Sequence, residues 1–103
     1  MILRIDWNNP LIDIVGVDIG GGDIYHYNGE PFTGILYENF PNGNLKYEIE
    51  CKNGYPEGVQ RHYYPNGQLW EEGFLKYNQD YGPFRQWDEG GNLIKESDFG
   101  PEP

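Results

Sequence analysis

The chain has 103 residues and a net charge of −10, with 15 glycines, 17% aromatic residues, no alanine, one serine and one threonine. A chain of this length suits one domain and buries roughly two-thirds of its unfolded surface. The strongest helix former is missing and strand-favouring aromatics abound, so composition points to an all-β fold with tight turns. The acids are spread evenly: residues 1–53 hold 8 acids and 3 bases, and residues 54–103 hold 9 and 4. Such a surface argues against nucleic acid and anionic membrane, both of which are bound through Lys and Arg. It complements a basic protein partner, although acidity also serves plain solubility.

Taken in chain order, residues 1–26 open with "LRIDW" and "LIDIVGVDI", which alternate enough for two short strands. They are expected to form an N-terminal β cap over the exposed edge of the first hairpin. No basic segment leads into a continuous apolar run, and no 18-residue apolar run exists, so the expectation is an unprocessed cytoplasmic protein. "DIGGGD", Asp18 to Asp23, resembles a glycine-rich phosphate loop, but "IYHYNG" comes directly after it, a strand and a turn. Phosphate loops need a following helix whose N-terminus faces the anion, so this run reads as a hairpin turn and no cofactor is expected.

From residue 27 onward the chain repeats itself. Gly43, Gly67 and Gly91 stand 24 residues apart, as do Leu45, Leu69 and Leu93, then Glu48, Glu72 and Glu96, and upstream Gly34, Gly58 and Gly82. Four columns at one period define three units, about 34–57, 58–81 and 82–99, with a loose tail at 100–103. In the second unit Val59 to Tyr64 is one strand, Pro65-Asn66-Gly67 the turn, and Leu69 to Lys76 the return strand. Pro presets φ, Asn tolerates the second position and Gly takes the left-handed one, which specifies a three-residue hairpin loop with a bulge. Pro41-Asn42-Gly43 repeats it, and Glu89-Gly90-Gly91 keeps the final Gly. A second set of turns near Asn28-Gly29, Asn53-Gly54 and Asn78-Gln79-Asp80 links hairpin to hairpin. The fold expected is an antiparallel meander of stacked β-hairpins.

Chemistry-bearing residues are few. His26, His62 and Cys51 are scattered and lack metal-ligand spacing, so no metal site is expected. Cys51 shares its column with Leu75 and Phe99 and reads as core. Ser97 and Thr33 are framed by no nucleophile motif, and the acids recur by repeat rather than as one convergent pair, so no catalytic residues are expected.

The charges that belong to the repeat, Glu48, Glu72 and Glu96, should form a ladder on one face. They bond either a partner's cations or a neighbouring Arg or backbone N–H within the fold, and the second reading is favoured because a fold signature recurs. Columns that vary between units suit recognition better: Tyr47, Glu71 and Lys95; Lys46, Trp70 and Ile94; Glu50, Phe74 and Asp98. The candidate partner-binding set is Tyr47, Glu48, Glu50, Trp70, Glu71, Glu72, Phe74, Glu96 and Asp98. Trp and Tyr among acids match the usual make-up of binding hot spots.

The order Gly, aromatic pair, Asn-Gly-x-Leu, Glu and x-Asn-Gly link resembles the variant MORN repeat of the YwqK-like antitoxin family. The likeness covers about residues 27–99 and is best in "GVQRHYYPNGQLWEEGFLKYN". It departs where the aromatic pair shrinks to Phe40 in the first unit and Trp87 in the third. The resemblance implies an immunity protein that binds a cognate toxin, a C-terminal toxin domain; the acidic surface adds the expectation of a basic cleft, and the cytoplasmic expectation that of a nucleic acid or nucleotide target. The alternative it leaves is a non-catalytic MORN-type scaffold.

Overall fold

The computed structural model describes residues 3–18 and 21–103. Among these residues ten strands form two sheets, and there is no helix. In chain order they are β1 (Arg4–Asp6), β2 (Ile12–Val17), β3 (Asp23–Tyr27), β4 (Glu30–Pro31), β5 (Gly34–Asn39), β6 (Leu45–Lys52), β7 (Tyr55–Tyr63), β8 (Leu69–Lys76), β9 (Gln79–Trp87) and β10 (Leu93–Asp98). The larger sheet runs β1-β5-β6-β7-β8-β9-β10, so from β5 onward spatial order follows chain order. The fold is all-β, and its repeats are hairpins laid side by side.

The three Gly turns share one geometry. Gly43 N–H donates to Phe40 O (2.9 Å) while Phe40 N–H donates to Asn44 O (2.7 Å). Tyr64, Gly67 and Gln68 repeat the pattern, as do Asp88, Gly91 and Asn92. The glycines hold φ of 90°, 92° and 86°, where a Cβ would be strained. Side chains brace the turns to one another: Asn42 and Asn44 Nδ2 both donate to Pro65 O, and Asn66 Nδ2 donates to Glu89 O.

The linking turns are two-residue loops with both φ values positive, at Asn28-Gly29, Asn53-Gly54 and Tyr77-Asn78. The third differs from the expected Asn78-Gln79-Asp80. Lys76 pairs with Gln79, which forces Tyr77 into φ 51° although no Gly stands in the loop.

The N-terminal segment departs from the simple cap. β1 does cover the free edge of β5, but runs parallel to it, Ile5 opposite Leu36. β2 turns away and pairs with β3, which pairs with β4, to make a second, three-stranded sheet. "DIGGGD" joins β2 to β3; Gly22 N–H donates to the Asp18 side chain (3.1 Å), while Ile19 and Gly20 of that run lie outside the described residues. The tail is not loose: Gly82 N–H donates to Gly100 O (2.7 Å) and Lys76 Nζ reaches Glu102 at 3.1 Å.

The core lies between the two sheets. Leu36, Phe32 and Cys51 are essentially inaccessible, and Ile5 and Tyr25 are buried beside them. Trp7 meets Tyr25 edge-on (5.5 Å) and Tyr27 meets Phe32 likewise (6.2 Å). A backbone seam fastens the layers: Tyr25 N–H to Gly54 O, Gly54 N–H to Phe32 O, and Phe32 N–H to Tyr25 O, at 2.8, 2.8 and 3.1 Å. Cys51 sits in this core as its column predicts, with its thiol pushed up to about 12 by burial first and by Glu50 second.

Candidate functional site

Residues opposite one another on neighbouring strands share a face, and successive residues alternate. On the large sheet this sorts the candidate residues into two rows. One row is Tyr37, Glu48, Arg61, Glu72, Arg85 and Glu96. The other, on the opposite face, is Glu38, Tyr47, His62, Glu71, Gln86 and Lys95.

The first row is a ladder of alternating charge. Arg61 Nε donates to Glu72 (2.7 Å) and its Nη1 to Glu48 (3.2 Å). Arg4 Nη1 reaches the other Glu48 oxygen (3.0 Å), and Tyr63 OH donates to Glu48 as well (2.9 Å). Arg85 Nε closes on Glu96 (2.6 Å). Burial by itself would raise the Glu48 carboxyl. The hydrogen bonds from Arg4, Tyr63 and Arg61, with the charge of Arg4, outweigh it and hold that carboxyl below its ordinary 4.5. Glu48 therefore directs its charge into the fold, while Glu72 and Glu96 are each paired with an arginine of the same row. The Glu column is visible in the sequence and a neighbouring Arg was expected for it; the arginines were not named there, although Arg61 and Arg85 keep the same 24-residue interval.

The second row carries the open surface. Leu36 and Ile49, two residues along from Glu38 and Tyr47, belong to this face, and the small sheet packs on them. Beyond that end, Tyr47, His62, Trp70 and Tyr64 form a run of rings at 6.0, 6.1 and 5.9 Å. The bulge between His62 and Tyr63 brings Trp70 onto His62 and Tyr64, and leaves it 39% exposed. Phe40, Lys46, His62, Tyr64, Pro65 and Trp70 line a shallow hollow of about 280 Å³. Lys46 is the charged residue in this lining, and three carboxylates act on the Tyr64 hydroxyl beside it: desolvation raises it first, then Glu89, Asp88 and Glu71. Tyr64 OH is anchored on Trp87 O (2.8 Å), and Glu71 accepts from Gln86 Nε2 (2.9 Å).

The expected site residues thus divide. Tyr47, Trp70 and Glu71 gather on the open aromatic face. Glu48, Glu72 and Glu96 lie on the other face in the ladder. Glu50 accepts from Val59 N–H (3.0 Å), Phe74 stacks near Tyr81 (5.9 Å), and Asp98 accepts from Gly100 N–H (2.8 Å). His62 and Tyr64, which the variable columns did not include, belong with Trp70. A larger hollow of about 470 Å³ lies by Glu50, Lys52, Glu57 and Lys76, where both signs of charge meet. Among the described residues no group of three His, Cys, Asp or Glu side chains is placed to hold a metal.

Residues 32–53 and 56–77 each match the MORN repeat variant. They correspond to the β5–β6 and β7–β8 hairpins, and the β9–β10 hairpin repeats their turn geometry beyond the matched residues. Over 31 residues the chain is 52% identical to the "Immunity protein YwqK" of Bacillus subtilis (strain 168). The shared stretch is 30% of this chain and 20% of that protein, so the likeness to it is local. No solved structure matches the chain at a significant level.

Proposed function

We propose that this variant MORN-repeat protein is an immunity protein, one that binds a cognate toxin domain in the cytoplasm and blocks its active-site cleft. The observation that carries the reading is the open face of the large sheet, where Trp70, His62 and Tyr64 form an aromatic centre, with Glu71 in register beside His62 and the charges of Glu89 and Asp88 acting on the Tyr64 hydroxyl. Aromatic centres with polar rims are the make-up of tight protein interfaces. A carboxylate rim speeds encounter with a basic surface, and a cleft that acts on nucleic acid or nucleotide is basic. The local likeness to a protein named as an immunity protein supports the same role. No catalytic step is assigned to the chain; it acts by occlusion.

The test is rescue in cells. The C-terminal domain of any toxin-like protein encoded beside this chain is expressed with and without it. Restored growth that Trp70→Ala or Glu71→Lys weakens supports the reading. Growth arrest that persists with the wild-type chain, produced at equal level, overturns it.

A second reading, a non-catalytic scaffold that joins proteins, is favoured by the extended repeat sheet and its open last edge. An anionic-vesicle flotation assay and a pull-down against the toxin domain separate the two.

A further inference from the structure

Among the described residues the last hairpin is β9–β10, and β10 has β9 on one side and no strand on the other. Leu93, Ile94 and Phe99 are each more than half exposed there. Phe99 N–H donates inward to Gly82 O (3.0 Å), so strand alternation turns the backbone of Asp98 and Glu96 outward. Pro83, opposite Asp98, has no N–H to offer and fits that phase. An unpaired row of backbone donors and acceptors of this kind is a template for another strand.

The charge ladder says what that strand carries. Glu48 has Arg4 on one side and Arg61 on the other, and Glu72 stands in register between Arg61 and Arg85. Glu96 has Arg85 alone and leaves 55% of its side chain exposed toward the edge. Asp98, two residues on, places a second carboxylate on the same face. The pattern built into β5 to β10 is complete at every glutamate of the ladder except the last.

We propose that the outer edge of β10 docks an extended segment of a partner protein with Arg or Lys at alternate positions, opposite Glu96 and Asp98. Main-chain hydrogen bonds supply the pairing and the two cations set the register. A second copy of this chain fits poorly. Two-fold pairing of β10 with itself sets Lys95 against Lys95, Glu96 against Glu96, or Glu96 against Asp98, when centred on Lys95, Glu96 or Ser97, and like charges directly opposed are destabilising. The proposal does not depend on the toxin reading, whose face lies elsewhere on the sheet.

The probe is a blocked synthetic peptide, Thr-Val-Arg-Val-Arg-Val-Thr, titrated into the full-length, isotope-labelled protein while backbone amide signals are followed. Shifts concentrated on residues 93–98 are expected. At least tenfold weaker binding is expected for the peptide with both arginines replaced by glutamate, and for Glu96→Arg with the original peptide. Glu96→Gln, which keeps the side-chain shape, should fall between. Equal binding of both peptides, shifts centred on Trp70, or absence of shifts at millimolar peptide would overturn the proposal. So would concentration-dependent dimerisation of the free protein through β10.

Discussion

Arg61 Nε donates a 2.7 Å hydrogen bond to Glu72 across the β7–β8 pair, and 24 residues on Arg85 stands in the same relation to Glu96 at 2.6 Å. The repeat thus carries an ion pair as part of its signature, along with its turns. Arg61 also reaches Glu48, which makes it the one arginine holding carboxylates on both neighbouring strands among the described residues.

Removing that link should be felt. Arg61→Met leaves two half-buried carboxylates short of a partner and is expected to lower unfolding stability by about 1–2 kcal/mol. Arg61→Lys should recover only part of it, because one ammonium replaces two directed donors. Lys52→Met, which breaks an exposed 4.0 Å pair with Glu57, should cost less than about 0.5 kcal/mol. Urea titrations of the three variants measure this, and equal losses at Arg61 and Lys52 would contradict the ladder's structural role.

The ladder also sets a pH dependence. Glu48 has a folded-state pKa below its ordinary 4.5, so its contribution is present above that value and is lost as pH falls through the lower folded value. Glu48→Gln should therefore be less stable than wild type at pH 7. The difference should narrow steadily once pH falls below the ordinary carboxylate value. Denaturation midpoints at half-unit steps from about pH 7 to pH 3 test this, and a constant gap across the range would refute it.

The two kinds of glycine turn should respond differently to a methyl group. Gly67 has φ 92°, and a Cβ added there would have only Asn44 near it, with Nδ2 at 3.8 Å, so Gly67→Ala is expected to cost about 1–2 kcal/mol from backbone strain. Gly54 has φ 89°, and a Cβ there meets Tyr25 O at 2.9 Å in the seam between the sheets. Gly54→Ala should cost more, and it should loosen β3 and β4 first. Amide exchange at Tyr25 and Phe32 reads that loosening; protection unchanged from wild type would count against the seam.

Cys51 is a free thiol enclosed between the sheets. With burial and then Glu50 pushing it to about 12, it should resist a thiol reagent at about pH 8 in the folded protein and react at once in denaturant. Modification within minutes under native conditions would place it outside the core.

Much of this fold was legible in the 24-residue interval, because each Gly and Leu column marks a turn and a strand start whose physics is local. β8 runs from Leu69 to Lys76 as its pattern predicts. The second sheet was less legible. "IYHY" and "GEPF" are too short to show which face is buried, and it is Tyr25 and Phe32, packed against residues far along the chain, that decide it. The last linking turn was placed one residue late because Tyr77 adopts a conformation that its residue type rarely takes. The candidate binding residues carried no assignment to a face; strand alternation sends Glu48 and Tyr47 to opposite faces, and a bulge carries Trp70 to the side of Tyr47.

The central claim, that this chain neutralises a toxin through its open aromatic face, is tested most directly by binding kinetics. The C-terminal domain of any toxin-like protein encoded beside this chain is measured against wild type and Trp70→Ala at low and high salt. The account predicts nanomolar binding, an association rate that rises as salt falls, and a loss of about thirtyfold or more in affinity for Trp70→Ala. Absence of binding, or tight binding that Trp70→Ala leaves unchanged, would contradict it.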